Sequence, residues 1–184
     1  MKRFDIQMGG QPLGFEDMCV LQVKQRDDKY KGSYEQVAKS LQLFCSSHSR
    51  YDSLVQFFKM MVMNNLLQNG DALLKNFGVL YSDIHQIQIA PAYDIVSTTA
   101  YIQNDIPALT LLGSKRWHSK DRLIRFGIET CVLSNKKALE LYEECLQGMK
   151  TLLENVNQRL ETESQSDKIK ILLHLQKLAK EALD

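Results

Sequence analysis

The sequence predicts one mainly α-helical domain that carries a small β-hairpin, and three observations predict it. At 184 residues the chain has the usual size of a single domain and can bury one substantial core. Its three prolines and nine glycines are too few for the turn-rich connections of an all-β sandwich. Apolar residues recur at helical spacing through most of its length, interrupted by one pair of β-type runs.

The first dozen residues read as extended or loop, because Gly9-Gly10 and Pro12 block a helix before Leu13. A short amphipathic helix fits Phe15 to Val23, followed by a charged loop from Lys24 to Lys31. Ser33 and Gln36 form a capping-box signature, and the helix they start carries Val37, Leu41 and Phe44 on one face. Tyr51 to Leu67 is apolar around most of its circumference, which marks the central helix, and its methionines read as core filler. Asn69-Gly70-Asp71 then breaks the helix. Two β-type runs, Phe77 to Tyr81 and Ile87 to Ala90, join through Ser82-Asp83 as a hairpin, and the second leads through Pro91 into Tyr93-Asp94-Ile95. Beyond Asp94 an irregular stretch runs to Lys120. Helices follow at Asp121 to Leu133, Lys136 to Glu161 and Asp167 to Leu183, with Ser119, Ser134 and Ser166 as caps. The last two are expected to pack on the central helix rather than to form a free partner-binding hairpin.

Hydrophobic residues make up 44% and charged residues 24%, the proportions of an ordinary globular domain. Lys plus Arg total 23 against 22 for Asp plus Glu, so the net charge of +1 supplies no global drive toward nucleic acid or a membrane surface, and direct nucleic-acid binding is not expected. Cys19, Cys45, Cys131 and Cys145 contain no CxxC pair and read as buried, reduced thiols. No apolar run is long enough to span a membrane and Met1 to Asp5 lacks a signal peptide's apolar run, so a cytoplasmic location is expected. The four histidines lack metal-ligand spacing, and no nucleophile elbow appears. Lys115-Arg116-Trp117-His118-Ser119-Lys120 is the one basic, aromatic cluster; it reads first as a solvated loop and second as a grip for a phosphate backbone with a stacking indole.

The sharpest local feature is Asn69-Gly70-Asp71-Ala72-Leu73-Leu74-Lys75-Asn76, then the hairpin, then Asp94. An Asp and an Asn spaced D-x-x-x-x-N, followed after a hairpin by a second Asp, is the order found in the catalytic and magnesium-binding loops of protein kinases. The residue types suit that chemistry. A carboxylate can accept the proton of an attacking hydroxyl, while an amide oxygen and a second carboxylate are hard ligands for magnesium. The spacing alone does not decide, because a helix-stop turn, a loop Asn and a helix-capping Asp would give the same letters.

Four motifs in order, Arg3-Phe4-Asp5, Glu16-Asp17-Met18-Cys19, Gly70-Asp71 through Lys75-Asn76-Phe77, and Pro91-Ala92-Tyr93-Asp94-Ile95-Val96-Ser97, resemble the C-terminal part of the HipA-like serine/threonine kinase family. The resemblance implies a protein-kinase-like C-terminal lobe over residues 1–184, with the hairpin at its active site. It implies Asp71 as the catalytic carboxylate, Asn76 and Asp94 as magnesium ligands, Phe4 at the hinge beside the adenine, Asp5 near the ribose and Tyr93 close to the nucleotide. ATP and Mg2+ are the implied cofactors. A protein substrate such as an aminoacyl-tRNA synthetase, a helix-turn-helix antitoxin, and an N-terminal lobe supplied in cis or in trans are the implied partners. Because the chain begins at the implied hinge, it is expected to be inactive alone. Two positions depart from the family pattern: Leu73 stands where members usually have His, and Phe15 where a polar residue is common. Those departures support the alternative of a non-catalytic interaction module.

Overall fold

The computed structural model describes residues 3–7 and 9–184. The expected mainly helical lobe with a small sheet is what it shows: six helices and one three-stranded antiparallel sheet among the described residues. The helices are α1 (Met18–Leu21), α2 (Tyr34–Phe44), α3 (Arg50–Leu66), α4 (Lys120–Glu129), α5 (Asn135–Thr162) and α6 (Ser166–Leu183). The strands are β1 (Gly14–Asp17), β2 (Gly78–Tyr81) and β3 (Ile87–Ile89), in the order β1-β2-β3. No described helix is long and apolar enough to cross a membrane.

The helix α3 is central, as its all-round apolarity requires. It touches α2, β3, α5 and α6, and its Phe57, Phe58, Met61 and Val62 are fully buried. Phe57 is the hub of an aromatic cluster, edge-on to Phe77 at 5.5 Å and within 6.3 Å of both Tyr34 and Phe126. Phe77 immediately follows Asn76, so this contact fastens the hairpin and the loop before it to the middle of the core. All four cysteines are free and buried. The α5–α6 pair packs on α3, and α6 also reaches the short 3-10 turn Thr98–Ala100 beyond Asp94.

Three expectations need correction. The helix expected at Phe15 to Val23 is instead β1 followed by the four residues of α1. The residues Phe15 and Asp17 pair with Leu80 and Gly78 of β2, and the Asp17 carboxylate then accepts from Val20 N at 3.0 Å to start the helix. A side chain at position 78 would collide with the Phe15 ring, so Gly78 is what lets that strand approach. The fourth helix stops at Glu129 rather than Leu133, because Val132 adopts a left-handed φ of 59° and Leu133 N turns back to the Gly127 carbonyl at 3.1 Å. Of the three serine caps proposed for the last helices only Ser134 caps, accepting from Lys137 N at 3.1 Å. Ser119 makes no side-chain cap, and Ser166 already lies inside α6.

The Ser33–Gln36 capping box forms as its letters predict: Gln36 N donates to Ser33 Oγ at 3.2 Å and Ser33 N to Gln36 Oε1 at 3.3 Å. Replacing Ser33 by Ala is expected to cost about 1 kcal/mol. Urea unfolding would show it as a lower midpoint at unchanged slope; an unmoved midpoint would contradict the assignment.

Candidate active site

The site is assembled where α3 ends. Its last turn closes in a Schellman motif, with Gln68 left-handed at φ 51°, Asn69 N donating to the Asn64 carbonyl at 2.8 Å and Gln68 N to that of Asn65 at 3.1 Å. The helix therefore ends at Leu66, with Leu67 and Gln68 standing between it and the Asn-Gly pair. Gly70 answers a different need. Its φ is not left-handed, but a Cβ there would run into the Asp105 carboxylate and lie 2.8 Å from the Ile106 carbonyl oxygen. Gly70 N donates to the Thr98 hydroxyl at 2.7 Å, and that hydroxyl lies 2.5 Å from the Asp105 carboxylate.

Asp71, Asn76 and Asp94 lie together, joined through the Asn76 side chain. The Asn76 amide nitrogen donates to the Asp71 carbonyl oxygen at 3.1 Å and to Asp94 Oδ2 at 3.0 Å. Both neighbours are acceptors, which fixes the orientation of the amide. Asn76 is 7% exposed, and its Oδ1 has no protein partner among the described residues, yet is not sealed in. The second oxygen of Asp94 and both carboxylate oxygens of Asp71 are likewise without hydrogen-bond partners there, on two exposed residues. Unspent hard oxygens from an amide and two carboxylates are a donor set that fits a magnesium ion. Asp71 is exposed as a residue but its carboxyl is partly desolvated, and this, with next the Asp94 charge, pushes it up from its ordinary value, with Lys29 opposing.

Asp94 is held in a left-handed conformation, φ 54°, one that Asp tolerates better than most residues do. Its carbonyl oxygen accepts from Asn69 Nδ2 at 3.3 Å. Asn69 is 1% exposed, and the same amide nitrogen donates to Asn64 Oδ1 at 2.8 Å while its Oδ1 accepts from Asp71 N at 3.1 Å. One buried amide thus braces the backbones of both acidic residues. Sequence reasoning treated Asn69 only as part of a turn and missed Asn64, Thr98 and Asp105. The available signal was an Asn beside a helix stop, where a polar side chain has reason to be buried.

Phe4 and Tyr93 meet in an offset stack at 5.5 Å, with Phe15 edge-on to Tyr93 at 6.0 Å. The Tyr93 hydroxyl donates to the Lys75 carbonyl oxygen at 2.5 Å, which ties the aromatic group to the Asp71–Asn76 loop, and burial pushes its phenol up so that the donor stays protonated. Phe15 supplies a third aromatic face. Asp5 lies beside this group but is engaged by Arg3 through paired bonds of 2.9 and 2.5 Å, which hold its carboxyl below its ordinary value. Leu73 is 5% exposed and packs inward.

Comparison with known proteins bears on the family and the fold. A family model described as HipA-like C-terminal domain matches residues 1–153. The "Putative kinase Y4dM" of Sinorhizobium fredii is 30% identical over 158 residues, covering 84% of this chain and 37% of that protein. A "Putative kinase" of Haemophilus influenzae is 32% identical over 90 residues, 47% of this chain and 26% of the relative. The chain thus spans well under half the length of these curated relatives. A chain of the Shewanella oneidensis MR-1 toxin–antitoxin complex of HipA, HipB and operator DNA superposes with a TM-score of 0.76 over 98% of this chain and 46% of its own length, at 16% identity, a likeness of fold.

Proposed function

The chain belongs to the HipA-like C-terminal domain family, and from that premise we propose that residues 1–184 form the C-terminal lobe of a serine/threonine protein kinase. The complete enzyme would move the γ-phosphoryl group of ATP to a Ser or Thr of a protein. The observation that carries this reading is the Asn76 amide bridging the Asp71 carbonyl and the Asp94 carboxylate, with the remaining oxygens of all three unspent.

In this mechanism the acceptor hydroxyl is oriented by the Asp71 carboxylate, which takes its proton as the oxygen attacks the γ-phosphorus and the bond to the ADP oxygen breaks. The raised basicity of Asp71 suits it to that proton. Asn76 and Asp94 would hold Mg2+, which neutralises charge on the phosphates when bound. Phe4 and Tyr93 offer the adenine an aromatic wall, and Asp5 would reach the ribose on release from Arg3. The remaining phosphate contacts belong to an N-terminal lobe in cis or in trans. We further propose a cytoplasmic enzyme, the toxin of a pair whose helix-turn-helix antitoxin restrains it and whose target is a translation protein such as an aminoacyl-tRNA synthetase.

One observation favours a second reading, a non-catalytic interaction module. Leu73 removes a hydrogen-bonding side chain from the catalytic loop and turns that position into core. The two readings part on one assay. The chain is combined with an N-terminal lobe, and labelled phosphate is followed from ATP, with Mg2+, onto protein. Transfer that disappears in Asp94→Ala supports the kinase; no transfer under any pairing supports the module.

A further inference from the structure

Next to the Asp71 loop, a cavity of about 640 Å³ opens between the turn at Thr98–Ala100, the Lys115–Trp117 loop and α6. That volume lies within the range of ligand-binding clefts. Its wall carries three cationic side chains, Lys115, Arg116 and Lys177, against one carboxylate, Asp105. The carboxylate is already spent: Asp105 accepts from the Thr98 hydroxyl at 2.5 Å and from Ile106 N at 3.0 Å. The cations are more loosely engaged. Lys115 only touches the Tyr30 carbonyl at 3.3 Å, Lys177 shares a 3.7 Å exposed pair with Glu181, and Arg116 belongs to no ion pair among the described residues. On a chain of net charge +1 this is a local concentration of positive charge rather than a property of the whole surface.

Resting on the phosphotransfer reading, we propose that this cavity binds an acidic segment, Asp or Glu side chains flanking the phosphate-accepting Ser or Thr, of the protein substrate. Position supports it. From the cavity wall, the bonds Asp105–Thr98–Gly70 lead directly to the residue before Asp71, so a peptide seated there lies beside the Asp71 loop. Chemistry supports it as well. Three cations around one cavity match a few carboxylates, whereas nucleic-acid grips engage more phosphates along a longer track, on the order of six to ten. His174 provides a reporter. Its Nε2 lies 2.8 Å from the Thr99 hydroxyl, and burial and then Lys177 hold its pKa below the ordinary value, with Glu181 opposing. A carboxylate entering the cavity would raise it.

The test is fluorescence anisotropy on the whole chain with a labelled Glu-rich peptide containing one Ser, its Gln-for-Glu counterpart, and an oligothymidylate of equal length. Saturable binding of the acidic peptide alone is expected, weakened at least about tenfold in the exposed pair Arg116→Glu with Lys177→Glu. The His174 imidazole should titrate at higher pH with the peptide present, as seen by NMR. Binding that survives both reversals, an acidic peptide that does not bind, or tighter binding of the oligonucleotide would overturn the proposal. The measurement needs neither ATP nor Mg2+. Loss of phosphate transfer and loss of peptide binding are thereby read separately.

Discussion

Asp71→Asn is expected to abolish phosphate transfer and, at neutral pH, to make the lobe more stable. Losing a general base lowers rates by roughly 10²- to 10⁴-fold, and Asn keeps the shape of the side chain, so the assembled enzyme should lose turnover without losing its fold. The stability gain follows from the direction of the Asp71 shift. Partial desolvation and the neighbouring Asp94 raise its carboxyl above the ordinary value of 3.8. The folded chain therefore holds that proton to a higher pH than the unfolded chain does. Stability contributed by this site is present at low pH and falls as pH rises from the ordinary carboxylate range through the raised value, leaving a penalty at neutral pH. An amide carries no such penalty. Thermal melts should place Asp71→Asn above wild type at pH 7, with the difference shrinking as the pH is lowered toward 4. A variant that melts lower at pH 7, or one that still transfers phosphate within a few-fold of wild type, would remove Asp71 from the proposed role. Strain that one substitution relieves is what a residue selected for chemistry rather than for folding leaves behind.

What the sequence made legible depended on how local the cause was. The Ser33 capping box was readable because both partners lie within one turn, and α3 because apolarity on all faces has one structural outcome. The order Asp71, Asn76, Asp94 was readable as a pattern, although its letters could equally have been a turn and two caps; it is Phe77, sunk against Phe57, that brings Asn76 under Asp94. The β1 strand was misread as helix because Phe15 to Val23 has helical periodicity. Its extended start depends on pairing with β2, more than sixty residues away, and on the missing side chain at Gly78. Propensity carries no information about a partner strand that distant. The cavity beside the site was illegible for the same reason. Lys115 and Arg116 stood out in the sequence, but Lys177 and His174 come from α6, and only the packing of that helix beside the Thr98–Ala100 turn brings them opposite.

Asn69→Ala is expected to be the most damaging change to a residue that touches no substrate. The side chain is 1% exposed and gives all its polar capacity to the site's frame: Asn64 Oδ1 at 2.8 Å, the Asp94 carbonyl at 3.3 Å and Asp71 N at 3.1 Å. Truncation strands Asn64 Oδ1, on a residue only 3% exposed, and frees two backbone groups at once. A buried polar group left unpaired costs about 1 to 3 kcal/mol, so a total near 3 kcal/mol is expected as a drop in the urea midpoint. A purely structural role would end there. The bonds to Asp71 and Asp94 predict more, because Asp94 sits at a left-handed φ of 54° that its own side chain does not enforce and that Asn69 helps to hold. Released, the Asp94 backbone relaxes and its carboxylate moves off Asn76. In the assembled enzyme, at a temperature where the variant is fully folded, turnover should still fall by about tenfold or more, and the concentration of Mg2+ needed for half-maximal rate should rise. Asn69→Asp separates the contributions. It keeps an oxygen for Asp71 N but loses both donors and faces Asn64 Oδ1 with a second acceptor, so it should be no more stable than Asn69→Ala. Wild-type Mg2+ dependence in a folded Asn69→Ala enzyme would show that Asp94 is positioned by something other than this amide.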